Sequence, residues 1–358
     1  MADYRKRREG LLRFLDERGL DGVLLISYEN RRWFAGFTGS LGYLLVTRGG
    51  ASMVVDMRYT TQARQQAEGV EIIEYRADRL GAVAKMILGC GVKRLALEAC
   101  MTLDEYFVLK DRLGGVELSC EQEYFTELRM VKDAEEIQAI RSAIECAETA
   151  FGQTVRMMRI GMTEKDIADE FSYRACKAGA DKLAFDTIVG SGPRGALAHA
   201  FPTGRVIENG DMVVCDLGVF MDGYCSDMTR TVLFGDVSPE HMRIFRLVQE
   251  SQDAAFAAVR PGVRAIDVEN AHRVPFLREN LDNYALRGLG HGIGVEIHEC
   301  PRVQIGNERT VLSPGMVFTL EPGLYFPGDC GVRTEDDVLV TENGAENLSH
   351  TPHEIHVG

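Results

Sequence analysis

The run Val213-Val214-Cys215-Asp216-Leu217-Gly218, answered eleven residues after its aspartate by Ser226-Asp227-Met228-Thr229-Arg230-Thr231, decides the fold of the second part of this 358-residue chain. Both segments have strand character interrupted by an acid, and Asp222-Gly223 between them is a two-residue turn signal. The pattern predicts a hairpin whose neighbouring strands bring Asp216 and Asp227 together. An ionised carboxylate at the end of an apolar strand is costly to bury unless it is paired or bound to a cation. Taken alone, each aspartate also fits an ordinary turn or strand end.

Further elements follow downstream. His291 lies in Gly288-Leu289-Gly290-His291-Gly292-Ile293-Gly294, where glycines let the backbone approach closely and a neutral imidazole is a good ligand for a divalent ion. This run is not a dinucleotide fingerprint, because no strand-to-helix unit surrounds it. His298 opens His298-Glu299-Cys300-Pro301-Arg302, which lacks the second histidine of the zincin motif. Glu321 stands in Phe318-Thr319-Leu320-Glu321-Pro322-Gly323 and Glu335 in Gly331-Val332-Arg333-Thr334-Glu335-Asp336. Four carboxylates and one imidazole make a hard, oxygen-rich set that suits Mn, Co or Zn better than a structural zinc site would. Two ions sharing such carboxylates lower the pKa of a bound water towards neutrality.

These segments resemble the pita-bread metallopeptidases, most closely the Xaa-Pro dipeptidases (prolidases) and aminopeptidases P. The resemblance begins at Phe185-Asp186-Thr187-Ile188-Val189 and His199-Ala200-Phe201-Pro202-Thr203, passes through all five ligand segments, and ends at Val338-Leu339-Val340-Thr341-Glu342-Asn343-Gly344. Weaker matches lie at Phe37-Thr38-Gly39-Ser40 and Asp56-Met57-Arg58-Tyr59. The resemblance implies an α/β N-terminal domain over residues 1–125, then an α+β pita-bread catalytic domain of the creatinase and methionine aminopeptidase type over 126–358. It implies two divalent ions, Mn first among the candidates, with Asp216 on one, His291 and Glu321 on the other, and Asp227 and Glu335 bridging. Glu321 would also handle the proton of the reacting water. His199 and His298 would stabilise the developing oxyanion, and Arg302 would pair with the free carboxylate of a dipeptide. Arg333 would orient the carboxylate of Glu335.

The implied activity is hydrolysis of the Xaa-Pro bond of dipeptides. The alternatives are an aminopeptidase P acting on longer peptides, or a metal enzyme of the same scaffold acting on a small non-peptide molecule. Two positions depart from the family pattern. Thr334 replaces a frequent aliphatic residue, and Arg287 stands four residues before His291, where many relatives carry histidine. A guanidinium there would add a fixed charge and five donors to the pocket, and would favour an anionic substrate.

Charge is divided unevenly. The formal net charge of −14 falls in residues 126–358, as do all eight histidines, the first being His199. An acidic surface argues against nucleic-acid binding, which needs a basic stripe. Nine cysteines without a Cys-x-x-Cys spacing make no disulfide framework. No leader or long apolar stretch is read, so the expected setting is the cytoplasm, with no membrane association.

In the first part, Val23–Ile26, Tyr43–Val46, Met53–Val55, Glu71–Tyr75 and Arg94–Leu97 read as strands. Tyr59–Ala67, Leu80–Leu88 and Leu103–Leu113 read as helices. In the second part, a long helix carries Ile137, Ile140 and Ile144. Thr163 caps another through Ala178, and two more span 239–259 and 263–279. The family resemblance implies a homodimer built on the first domain. Asn30-Arg31-Arg32-Trp33-Phe34 is then expected to be a loop, with Trp33 either walling the partner's pocket or anchoring its own domain.

Overall fold

Asp222 and Gly223 both take positive φ (49° and 83°), as a two-residue hairpin turn requires, and Met221 pairs with Tyr224 across it. In this computed structural model, which describes residues 3–358, the chain divides into two compact units after Leu128.

The first unit is a six-stranded mixed sheet. Its spatial order is Glu71–Tyr75, Gly50–Asp56, Tyr43–Thr47, Gly22–Leu25, Arg94–Leu97 and Glu117–Cys120. Only the two pairings of Tyr43–Thr47 are antiparallel. Leu24, Leu45 and Val54 on the sheet pack against Val83 and Ile87 of helix Arg79–Gly89 and against Leu109 and Leu113 of helix Leu103–Leu113. The short helix Glu123–Leu128 belongs to this unit, because Phe125 is buried edge-on against Phe14. The unit therefore ends three residues beyond the position read from the sequence.

One expectation is overturned. The segment 30–34 is not a loop but the body of helix Tyr28–Ala35, capped by the Ser27 side chain and closed by Gly36 in the left-handed region. Hydropathy hides this helix because two of its buried residues are polar. Arg31 is spent on the carbonyls of Ile26, Gly39 and Gly42, and Asn30 on the carboxylate of Glu98.

In the second unit, one sheet runs Ile355–Val357, Met228–Phe234, Met212–Leu217 and Ile188–Ser191. Another runs Glu299–Val303, Gly290–Gly292, Val317–Leu320, Asp336–Thr341 and Gly344–Asn347. Helices Ala134–Val155 and Glu164–Ala178 bury their apolar faces against the first sheet, and part of the helix pair Pro239–Ala258 and Ala265–Arg278 packs against the second. Thr163 and Asp166 form the capping box that the sequence predicts. Among the described residues no helix is long and apolar enough to cross a membrane.

The period-two alternation of the strands places the chemistry. Val213, Cys215 and Leu217 face the helices, so Asp216 faces away from them. In the paired strand Met228, Val232 and Phe234 face the helices, and Thr229, which stands opposite Asp216, shares its face. Phe318, Leu320, Val338 and Val340 likewise pack on the helix side, leaving Thr319, Glu321, Glu335 and Asp337 on the other parity. The ligand acids thus share the face turned away from these helices, a face that becomes apolar again at Met212 and Leu233, which join a separate buried cluster.

Candidate metal centre and substrate cavity

The polar faces border a cavity of about 570 Å³. Its wall contains every predicted site residue of the second unit: His199, Asp216, Asp227, Arg287, His291, His298, Arg302, Glu321, Arg333 and Glu335. Phe185, Ile188, Phe201, Leu286 and Ile297 supply apolar wall. Trp33 lies in the first unit, 6% exposed, edge-on to Phe34 and under the Arg7 guanidinium at 4.6 Å. Its burial there favours the anchoring alternative.

His291 is held by its neighbours. A Cβ on Gly290 would stand 1.9 Å from the Thr319 carbonyl oxygen, and one on Gly292 would stand 2.0 Å from that of Cys300, so both flanking positions demand glycine. The imidazole Nδ1 lies 3.2 Å from the Gly292 carbonyl, which can only accept, so Nδ1 carries the proton and Nε2 keeps its lone pair. That Nε2 faces Asp227 at 3.6 Å and Glu321 at 3.5 Å. Burial, then the neighbouring His298, pushes the His291 pKa down to about 3, so the ring is neutral and free to ligate.

Ligand atoms of Asp227, His291 and Glu335 all lie within 4.8 Å of one another. Thr229 Oγ1 donates to Glu335 Oε2 at 2.6 Å, and the Asp227 amide donates to Asp337 at 3.1 Å. Arg333 donates to Asp216 Oδ2 at 2.5 Å, to Tyr325 and the Ala198 carbonyl at 2.9 Å, and to Thr229 at 3.1 Å. The sequence reading set Arg333 against Glu335. It reaches that residue through Thr229 and grips Asp216 directly.

The arrangement fits divalent cations. Asp216 Oδ1, Asp227 Oδ1 and Glu335 Oε1 are buried acceptors with no hydrogen-bond partner. Burial, reinforced by the neighbouring acids, pushes Asp227 and Glu335 well above the usual carboxylate range. Burial also raises Asp216, although Arg333 opposes it, and lifts Glu321 to about 7. Converging carboxyls with orphaned oxygens are costly as they stand and become favourable around a cation. At the rim, His298 stands 4.3 Å from the His291 ring, its pKa lowered by burial and by Arg302. Neither Arg287 nor Arg302 has an ion-pair partner among the described residues, and both are exposed.

The sequence reading missed Thr229, Tyr325 and Asp337. Thr229 was findable, since it lies two residues beyond Asp227 on the same strand face. Tyr325 carries no sequence signal that ties it to Arg333.

A carboxylate-and-imidazole floor beneath a rim of histidine and arginine is the site of a metal-dependent hydrolase. Residues 138–342 match the model of metallopeptidase family M24, and residues 7–131 match that of the creatinase/prolidase N-terminal domain. The chain belongs to family M24 and has the two-domain pita-bread architecture. It is 34% identical to the Xaa-Pro dipeptidase of Pyrococcus furiosus over 98% of this chain and 99% of that protein. The solved Xaa-Pro dipeptidase from Bacillus anthracis superposes with a TM-score of 0.96 at 35% identity, covering 99% of this chain and 100% of that one. An X-Pro aminopeptidase from Thermotoga maritima superposes at 0.88 with 34% identity, covering 98% and 100%. The family implies divalent metal ions.

Proposed function

We propose that this protein is an Xaa-Pro dipeptidase that uses two divalent metal ions. The observation that carries the reading is Arg302, an exposed guanidinium without an ion-pair partner on the rim of the cavity whose floor holds Asp227, His291 and Glu335. A rim cation matches the free carboxylate that only a short substrate brings so close to the scissile bond. The dipeptidase descriptions of the relatives support the same substrate class.

Asp216, Asp227, His291, Glu321 and Glu335 would hold the ions. The chemistry that divalent ions supply in such a site is a water ionised near neutrality and a polarised carbonyl. Around them, Arg333 holds Asp216 in place and opposes the burial that raises its pKa. His298 and His199 border the cavity where the substrate carbonyl would lie, and hydrogen bonds from them would stabilise the oxyanion of the tetrahedral intermediate. Glu321, on the cavity wall, would pass a proton from a carboxyl oxygen to the departing proline nitrogen. Phe185, Phe201 and Ile297 keep part of the wall apolar, which suits a proline ring.

Manganese is the proposed metal, with cobalt or zinc as substitutes, because all the first-row ions accept this donor set. A cytoplasmic homodimer is the proposed state. The nine cysteines are free thiols in the structure, which accords with a reducing compartment.

Proline release from Mn-reconstituted protein, measured on Met-Pro and on a tripeptide one residue longer, tests the reading. Cleavage of the dipeptide alone is expected. Preference for the tripeptide would make the enzyme an aminopeptidase P, in line with the Thermotoga maritima neighbour. Cleavage of neither would direct the search to small non-peptide substrates.

A further inference from the structure

The cavity holds more positive rim charge than a simple dipeptide needs. Its exposed carboxyl and guanidinium lining residues are Asp186, Arg287 and Arg302, and none has an ion-pair partner among the described residues. A zwitterionic dipeptide brings one ammonium and one carboxylate. Asp186 matches the first in sign, and Arg302 matches the second. Arg287 is left over.

Its place in the fold differs from that of Arg302. Arg302 lies inside the strand Glu299–Val303, directly across the ladder from His291. Arg287 lies in the bend that precedes the strand Gly290–Gly292. The two guanidinium groups therefore reach the cavity wall from different backbone segments. Leu286, beside Arg287, is exposed and also lines the cavity, so the segment presents both an apolar surface and a guanidinium to whatever enters.

We propose that Arg287 is a second anion anchor that selects dipeptides whose residue before proline carries a carboxylate, Asp-Pro or Glu-Pro. The inference rests on the Xaa-Pro dipeptidase reading. With proline fixed in second place and the α-carboxylate on Arg302, the only variable group of the substrate is the first side chain, so a second carboxylate must come from there. A guanidinium suits it because the fork can bond both oxygens.

The test compares Glu-Pro with the near-isosteric neutral Gln-Pro, and the ratio of their kcat/KM values is read within each variant so that any general loss cancels. The parent enzyme is expected to favour Glu-Pro by about tenfold, the scale of one charge-assisted contact at an exposed site. Arg287→Gln should bring the ratio near one, and Arg287→Glu should move the preference to Lys-Pro. Arg302→Gln should weaken both peptides and leave the ratio in place. Raising the salt concentration should shrink the parent's ratio, because the anchor is exposed. Efficient cleavage of Gln-Pro and Met-Pro with no preference for Glu-Pro would overturn the anchor and leave the dipeptidase reading standing. A preference that survives Arg287→Gln would overturn it too. So would an equal rise of KM for both peptides in that variant, which would make Arg287 part of the α-carboxylate site. Cleavage of none of Glu-Pro, Gln-Pro, Lys-Pro and Met-Pro would overturn the dipeptidase reading and this anchor together.

Discussion

Arg333 donates to Asp216 Oδ2 at 2.5 Å and spends its remaining donors on Tyr325, Thr229 and the Ala198 carbonyl. A lysine offers one point charge in place of this planar fork and cannot hold all four partners. Arg333→Lys is therefore expected to weaken metal binding by about 10- to 100-fold, the usual effect of losing a partner that orients a ligand. The loss should fall on one of the two ions. Calorimetric titration with Mn would show one weakened site beside one unchanged site. Two unchanged sites would mean that Asp216 is positioned without Arg333.

Thr229 joins two parts of the centre, accepting from Arg333 at 3.1 Å and donating to Glu335 at 2.6 Å. Thr229→Val keeps the shape and removes both bonds, and should cost about 1–3 kcal/mol of stability through the donor and acceptor left buried. Thr229→Ser should retain most of both bonds. Equal urea midpoints for the valine and serine variants would exclude the hydroxyl as the link.

Much of this arrangement was legible because strands alternate and ligand acids interrupt apolar runs. The parity of Asp216 among Val213, Cys215 and Leu217 is readable by eye, and so is the Thr163–Asp166 cap. Local signals also existed at Ser27 and Gly36 for the helix Tyr28–Ala35, but Asn30 and Arg31 gave its buried face a polar spelling. Their partners, among them Glu98, lie elsewhere in the chain, and a sequence pattern carries no record of them. Thr319, whose hydroxyl lies 3.2 Å from the His291 amide, was hidden in the same way.

Trp33 provides a test inside the first unit. Its ring is buried against Phe34 and covered by Arg7, so Trp33→Ala should cost about 3–5 kcal/mol, the range for deleting a large buried aromatic. Thermal or urea unfolding would register that loss. If KM and the preference for the residue before proline changed while stability did not, Trp33 would be a pocket wall instead.

The raised carboxyl pKa values set the pH response of chelator-treated protein. Glu321, at about 7, holds below neutral pH a proton that the unfolded chain has already released, and the raised Asp227 and Glu335 act in the same direction. Stability then falls as pH rises through that window. His291 acts in the opposite sense, since its folded pKa of about 3 lies below the ordinary 6.5, but its contribution is complete above that value. Between about pH 6.5, where the opposing His291 effect is complete, and about 7 the metal-free melting temperature should decline. Excess Mn should stabilise increasingly over the same range, because binding requires deprotonated ligands. A Mn-induced shift independent of pH would count against carboxylate ligation by this cluster.

Glu299 opens the strand Glu299–Val303 directly after His298, and its carboxylate is buried 2.8 Å from Lys132 and 3.4 Å from Arg129, whose side chains are 1% exposed. Removing one member of a buried ion pair strands the other charge and costs about 3–5 kcal/mol, whereas replacing both with apolar groups is often close to neutral. Lys132→Met and Glu299→Leu are each expected to be strongly destabilising, and the double variant less so than their sum. Because Glu299 anchors the strand that carries Arg302 and adjoins His298, the double variant should regain stability without regaining a normal KM for Met-Pro. Restored stability with an unaltered KM would make the pair purely structural. A double variant as unstable as the sum of the singles would show that Arg129, the remaining cation, needs the Glu299 carboxylate more than Lys132 does.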